Sequence, residues 1–186
     1  FTSSTANYNV AVGSQAGRFI TTGQQNTILG SLAGDALTDA DYNTAIGYGS
    51  LSSDTLGSRS TALGYSALIN QNFTSATNSY NVAIGHNAGQ QVTTGIQNTL
   101  IGGLAGDALS DADYNVSLGY QALSGDTLGS RSIAIGRRAL ATQNFTSATN
   151  SYNLAIGYAA GEAITTGTDN VLIGGLTGDV LTTASR

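Results

Sequence analysis

The sequence predicts an all-β fold, a parallel β-solenoid or β-roll of ten coils. Three observations predict it: a long internal repeat, a short motif nested within it, and an alternation of large and small residues inside that motif. The long repeat is marked by Phe1-Thr2-Ser3, Phe73-Thr74-Ser75 and Phe145-Thr146-Ser147, at a constant offset of 72. Segments 1–72 and 73–144 are identical at 46 of 72 positions, and 145–186 is a third copy, cut short. These are repeat units 1-72, 73-144 and 145-186 of one continuous rod. The glycine that closes the short motif recurs at 13, 30, 47, 64, 85, 102, 119, 136, 157 and 174. Its spacing runs 17, 17, 17, 21 and then repeats, so a unit holds three short coils and one long one. A fixed short period of this kind is the sequence mark of a solenoid.

Each coil opens on a strand. The residue before the closing glycine is Val, Leu or Ile in all ten coils, and the residue two earlier is Val, Thr, Ile or Leu in all ten. Between them stands Ala in six coils, Ser in one, and Ile or Leu in three. Large, small, large is a period of two carried by β-branched residues. The glycine suits a bend or a positive φ, and the density of Gly, Ser, Thr and Asn argues against helix. A second apolar position at Ile20, Leu37, Leu56 and Phe73 predicts a return strand, making each coil strand, turn, strand, turn. Coils stack because none buries a face alone, and ten at about 4.8 Å span roughly 48 Å. One strand face must fill the roll. The other, lined by Ala11, Ala45, Ala62, Ala83, Ala134 and Ala155, is expected to be flat, uncharged and covered, and further copies of the chain are the simplest cover. On that expectation Ile28, Leu100 and Leu172, in the same column, form an apolar plug on the axis of the assembly.

Composition narrows the function. The chain has 186 residues with 25 Gly, one His, no Pro, Cys, Met or Trp, and only Arg for its six cations. Charged residues make up 9%, far below the usual ~25%. The usual nucleophiles, bases and soft metal ligands are nearly absent, which argues against an enzyme, a cofactor or a metal site. Without Cys there is no disulfide framework or zinc ribbon. A net charge of -5 with no basic cluster gives no footprint for nucleic acid. No run reaches the ~18 apolar residues of a membrane span, and no signal-peptide pattern opens the chain, so membrane insertion is not expected. The lack of any Met suggests a processed or excised piece of something longer.

Several columns are candidates for a role. Asn opens the motif at Asn9, Asn26, Asn43, Asn81, Asn98, Asn115, Asn153 and Asn170, with Ser60 and Ser132 in the other two coils. Stacked amides of this kind form a structural ladder that satisfies turn backbone. The residue before that position runs Tyr8, Gln25, Tyr42, Arg59, Tyr80, Gln97, Tyr114, Arg131, Tyr152, Asp169. Stacking at ~4.8 Å sets Arg59 between Tyr42 and Tyr80, and Arg131 between Tyr114 and Tyr152, as a cation–π column. Pairing of Arg59 with Asp54 and of Arg131 with Asp126 is the open alternative. Tyr48, Tyr65, Tyr120 and Tyr158, just after the motif glycine, are candidate surface contacts. His86, aligned with Ser14 and Tyr158, reads as an exposed side chain. The acids Asp35, Asp39 and Asp41 recur as Asp107, Asp111 and Asp113, but Asp39-Ala40-Asp41-Tyr42 lacks the spacing of calcium loops, and the cluster reads as a solvated turn. The pairs Thr21-Thr22, Thr93-Thr94 and Thr165-Thr166 raise ice binding as a minor alternative. Asn72, Asn144 and Asn115 open glycosylation acceptor patterns, the first two in an extra loop of the long coil with Phe73 or Phe145 folded back.

The motif Asn-x-Ala-Ile-Gly-x-x-Ala, at Asn81 to Ala88 and Asn153 to Ala160, resembles the head repeat of trimeric autotransporter adhesins. The longer form, Ala88-Gly89 through Thr93-Thr94-Gly95 to Asn98-Thr99-Leu100-Ile101-Gly102, is similar to repeats in bacteriophage long tail fibres and bacterial surface fibres. The resemblance implies a trimeric parallel β-roll, hence a homotrimer, in an extracellular, cell-surface or virion fibre. The expected function is a structural shaft that positions a receptor-binding tip. The alternative is an adhesin module that itself binds host glycan or protein.

Overall fold

The computed structural model describes residues 7–185, and the Phe1-Thr2-Ser3 mark lies outside them. The chain is a parallel β-solenoid of ten coils, and no helix occurs among the described residues. Its spine is one ten-stranded sheet of three-residue strands stacked in chain order from Val10–Val12 to Val171–Ile173. Strands pair in parallel with the equivalent residues of the next coil. Ala45 faces Ala62 across a short coil, and Ala62 faces Ala83 across the long one.

The expected return strand forms only once per unit. Gly57–Ser58 pairs with Thr77–Asn78, and Gly129–Ser130 pairs with Thr149–Asn150. Elsewhere the return path is a series of bends, because each coil carries three residues in the left-handed region, which break any extended run. They are the residue before the opening Asn or Ser (Tyr42, φ 59°), the second after the closing glycine (Leu32, φ 58°) and the fourth (Leu51, φ 54°). At 23 of these positions the residue is not glycine. Such strain, about 1–2 kcal/mol each, persists only where the surroundings over-determine the backbone, here the coils above and below.

The closing glycine is required twice over. At Gly102 φ is 133°, and a Cβ there would lie 2.6 Å from the carbonyl oxygen of Gly119 in the next coil. The same close approach recurs at every closing glycine that has a described coil above it.

Which strand face fills the roll is the reverse of the sequence expectation. The central residue points inward: Ile28, Ala45, Ala62, Ala83, Leu100, Ser117, Ala134 and Ala155 are fully buried. The larger residues on either side point outward, with Val12, Leu29, Leu63, Leu118, Ile133 and Ile173 exposed. A coil this short is too narrow for large side chains from every strand, so the small column goes in. Ile28, Leu100 and Leu172 therefore lie inside their own roll and form no plug between chains.

Volume is matched column by column. Where the strand centre is small in a coil and in the coil after it, the fourth residue after the glycine is large, as in Ala45 with Leu51, Ala62 with Leu68 and Ser117 with Leu123, all buried. Where the centre is Leu100, that fourth position is glycine in its own coil and in the one before. A Cβ on Gly106 or Gly89 would fall within 2.8 Å of a Leu100 methyl. The next interior column holds Ile20, Leu37, Val92, Leu109 and Ile164 in some coils but Asp54, Gln71, Asp126 and Gln143 in others. Leu56 and Phe73 thus do not continue the column of Ile20 and Leu37. Phe73 and Phe145 fold back, 6% exposed, beneath the extra loop, whose Thr74, Ser75 and Ala76 stand in solvent.

Leu100→Ala leaves a void that neighbouring glycines cannot fill, so chemical denaturation should report a loss of about 2–5 kcal/mol. Gly102→Ala should exceed the ~1–3 kcal/mol typical of a strained backbone site, because the Cβ also collides with backbone. A Gly102→Ala melt equal to the parent's would show that coils separate more freely than this packing allows.

Candidate functional site

The most developed side-chain arrangement in the molecule is the Asn ladder. Asn26 donates its backbone N–H to Asn9 Oδ1 at 2.8 Å, Asn43 to Asn26 Oδ1 at 2.9 Å, and Ser60 to Asn43 Oδ1 at 2.8 Å. The second unit repeats the series, with Asn98 donating to Asn81, Asn115 to Asn98 and Ser132 to Asn115 at 2.8–3.0 Å. Asn170 donates likewise to Asn153 at 2.9 Å. Each amide also donates through Nδ2 to a carbonyl on the return path of the same coil, as from Asn98 to Ala112 at 2.7 Å. The carboxamide does what neither Ser nor Asp can, offering a donor and an acceptor on one planar group.

Two further ladders run along the return path. Thr21, Thr38, Thr93, Ser110 and Thr165 each donate a hydroxyl to a carbonyl of the next coil, at 3.0–3.3 Å. The threonine column is thus more continuous than the Thr-Thr pairs suggested, and its hydroxyls are committed to backbone. Asp41 and Asp113 accept the N–H of Gln24 and Ile96 at 2.7 and 2.8 Å, while Asp39 and Asp111 accept the hydroxyls of Thr22 and Thr94. These carboxylates cap the preceding coil, and no cluster of three or more His, Cys, Asp or Glu with metal-site geometry occurs among the described residues.

The long coil interrupts the Asn ladder and replaces it with a buried polar cluster. Asp54 accepts the N–H of Gly57 and Phe73 on Oδ1, at 3.0 and 3.1 Å, and Gln71 Nε2 on Oδ2 at 2.6 Å. Gln71 Nε2 also reaches Ser60 Oγ, and Gln71 Oε1 accepts Asn81 Nδ2, which restarts the ladder. Ser60 Oγ meets Ser79 Oγ. Asp126, Gln143, Ser132, Ser151 and Asn153 repeat the arrangement. The sequence reading missed this cluster. Its signal was present: a charged and an amide residue recurring once per repeat unit in an otherwise apolar column.

Arg59 does not pair with Asp54, which is fully buried. Its Cζ lies 4.5 Å from the Tyr42 ring centroid and 5.9 Å from that of Tyr80, and its Nε donates to Asn78 Oδ1 at 3.1 Å. Arg131 sits 4.6 Å over Tyr114 and donates Nε to Asn150 Oδ1 at 3.1 Å, but makes no such contact with Tyr152. The column after the glycine is a second exposed strip. Tyr48 stacks on Tyr65 at 5.4 Å and Tyr65 on His86 at 5.2 Å. Farther along, Arg137 lies 6.0 Å from Tyr120 and 5.6 Å from Tyr158.

The remaining features are local. A shallow cavity of about 340 Å³ is lined by Thr142, Glu162, Ala163, Leu176 and Asp179, with Glu162 held by Arg138 at 2.7 Å. Asn115 is buried in the ladder, whereas Asn72 and Asn144 are exposed. Asp107 Oδ1 and Asp35 Oδ1 are buried without a hydrogen-bond partner. Burial raises both carboxyls above the usual range, offset in part by backbone hydrogen bonding and, at Asp35, by Arg18. No family model, curated protein or solved structure matches this chain.

Asn98→Ala should strand the Asn115 N–H and the Ala112 carbonyl together, at about 1–3 kcal/mol for each unsatisfied group, measured by denaturant unfolding. A loss well under ~1 kcal/mol would mean that water replaces the amide. Asp107 carries a linkage prediction. A raised carboxyl binds its proton more tightly folded than unfolded, so its contribution is most favourable below the ordinary value of ~3.9 and declines as pH rises through the raised one. Asp107→Asn should therefore melt above the parent near neutral pH, with the difference shrinking in acid.

Proposed function

We propose that the chain is a shaft segment of an extracellular or virion fibre, a rod whose work is to hold a terminal module at a distance. The observation that carries this reading is the commitment of side-chain chemistry to neighbouring coils. Asn, Thr, Ser and Asp columns cap backbone rather than converge on a pocket, so their chemistry is that of a spacer. Duplication of the long repeat unit lengthens such a rod without needing a unique site.

The outward stripe of Val, Leu, Ile and Thr supports a homotrimer. Nine steps of about 4.8 Å make it roughly 43 Å long. Its strands are three residues, about 10 Å, long, so its area is on the order of 400 Å², about half of one partner's share of a standard interface. Apolar patches of that size are often functional. The number three rests on the resemblance to trimeric β-roll fibres.

A second reading is an adhesive module. The exposed rings of Tyr48, Tyr65, Tyr120 and Tyr158 favour it, since tyrosine offers rigid amphipathic contact area. Ice binding has less support, because the hydroxyls of Thr21, Thr22, Thr93, Thr94 and Thr165 bond to the next coil.

Sedimentation equilibrium should give three times the 18.8 kDa chain mass. Ile84→Asp with Ile101→Asp, two outward positions on adjacent strands, should yield monomers of lower thermal stability. A monomeric parent that is as stable as any assembled form would overturn the interface. Binding of the isolated rod to a cell-surface glycan array would favour the adhesive reading over the spacer.

A further inference from the structure

We propose that the strip running along the left-handed column before the Asn ladder is a binding track for an anionic polysaccharide, with Arg59 and Arg131 as its charge-reading positions. This goes beyond the shaft reading and does not depend on it.

The guanidinium groups carry the argument. Arg59 Cζ lies over Tyr42 and Tyr80, 4.5 and 5.9 Å from the ring centroids, and its Nε donates to Asn78 Oδ1 at 3.1 Å. Arg131 repeats the arrangement with Tyr114 at 4.6 Å and Asn150 Oδ1 at 3.1 Å. In both, the terminal nitrogens have no hydrogen-bond partner among the described residues, and neither arginine forms an ion pair there. The adjacent acids, Asp41 and Asp113, turn one oxygen to the N–H of Gln24 and Ile96. A planar fork of donors, oriented by a ring and an amide and left open at its outer edge, fits a carboxylate or sulfate bidentately. Its ordering cost has already been met in the free protein.

The track's shape points to a linear polymer. Every residue in the column has positive φ, from 50° to 66°, so the backbone presents all ten side chains in the same way at steps of about 4.8 Å. From Gln25 to Tyr152 the order is amide, phenol, guanidinium, phenol, then the same again, with Tyr8 before it and the carboxylate of Asp169 ending the track, and it returns the arginine after four coils, roughly 19 Å. Phenol, amide and guanidinium edges offer hydrogen bonds in a row, which suits a hydroxyl-rich chain with spaced negative groups better than an apolar peptide. Two equivalent sites on one rigid rod also let a polymer engage both, so that the second contact forms at high effective concentration.

The test uses the full chain in its native assembly at low salt, immobilised and exposed to polygalacturonate, dextran sulfate and neutral dextran. Binding to one or both anionic polymers, weakened by salt, and none to dextran is expected; the two polymers separate carboxylate from sulfate recognition. Arg59→Gln with Arg131→Gln should weaken binding about tenfold or more. Arg59→Lys with Arg131→Lys, which keeps the charge but loses the fork, should also weaken it clearly. Arg137→Gln, on the other strip, should change it less than about twofold. Melting temperatures of all variants monitor the fold. No binding to either anionic polymer, or an equal loss with Arg137→Gln, overturns the proposal; binding only to a protein ligand in place of either polymer overturns it as well. None of these outcomes bears on the mass measured by sedimentation, so the trimer stands or falls separately, while absence of binding leaves the spacer reading untouched.

Discussion

The structure depends on a single spacing, the interval of about 4.8 Å between paired strands. A lone coil cannot satisfy its own backbone, since its strand is short and its return path is mostly bends. Apart from local turn bonds such as Leu37 N–H to Gly34 O, the N–H and carbonyl groups therefore look along the rod for partners, as when Gly30 N–H reaches Val12 O and Gly47 N–H reaches Leu29 O at 2.8 Å. Everything that must repeat at that interval is constrained by it: the bare glycine at each strand end, the planar amide that bridges two coils, and the left-handed residues that turn the chain without lengthening it.

Within that constraint the interior solves a packing problem rather than a chemical one. Protein interiors are packed to the density of organic crystals, and a roll this narrow has few side chains with which to reach it. Large residues are consequently traded between columns, Leu51 and Leu68 opposite alanine, Leu100 opposite glycine. The same economy explains why Asp54 and Gln71 are tolerated inside. A buried carboxylate without a cation is costly unless fully hydrogen-bonded, and two backbone N–H groups and an amide supply the bonds.

Periodicity made the fold legible in the sequence, because a motif glycine that recurs at fixed intervals reports a backbone that returns to the same place. The strand register, the Asn ladder and the contact of Arg59 with Tyr42 all follow from aligning the coils. The direction of the strand was not legible. Alternation of Val-Ala-Ile says that two faces differ, and it does not say which one is inside when both lack charge; only the width of the roll decides for Ala83 over Val82 and Ile84. The return path misled for a related reason. Leu56 and Phe73 look like continuations of Ile20 and Leu37 by hydropathy, but the interior position lies seven residues after the closing glycine in every coil, where Asp54 and Gln71 stand, and Leu56 and Phe73 come nine after it. Asp35 and Asp107 recur at the repeat offset and looked like part of a solvated turn, but the partnerless burial of one oxygen in each was not legible, since it depends on side-chain packing alone.

The polar cluster of the long coil has a consequence for how such a rod can grow. Asp54 is satisfied only because Gln71 stands on the next coil, and Gln71 in turn meets Asn81 one coil further. Removing or inserting one coil between Asp54 and Gln71 would set a carboxylate against Leu or Val, leaving an uncompensated buried charge. The cluster acts as a registration mark that ties the long coil to the coil before it. Growth is therefore confined to two routes: duplication of a whole set of four coils, roughly 19 Å at a time, or insertion between coils whose interior column is apolar, as between Val92 and Leu109.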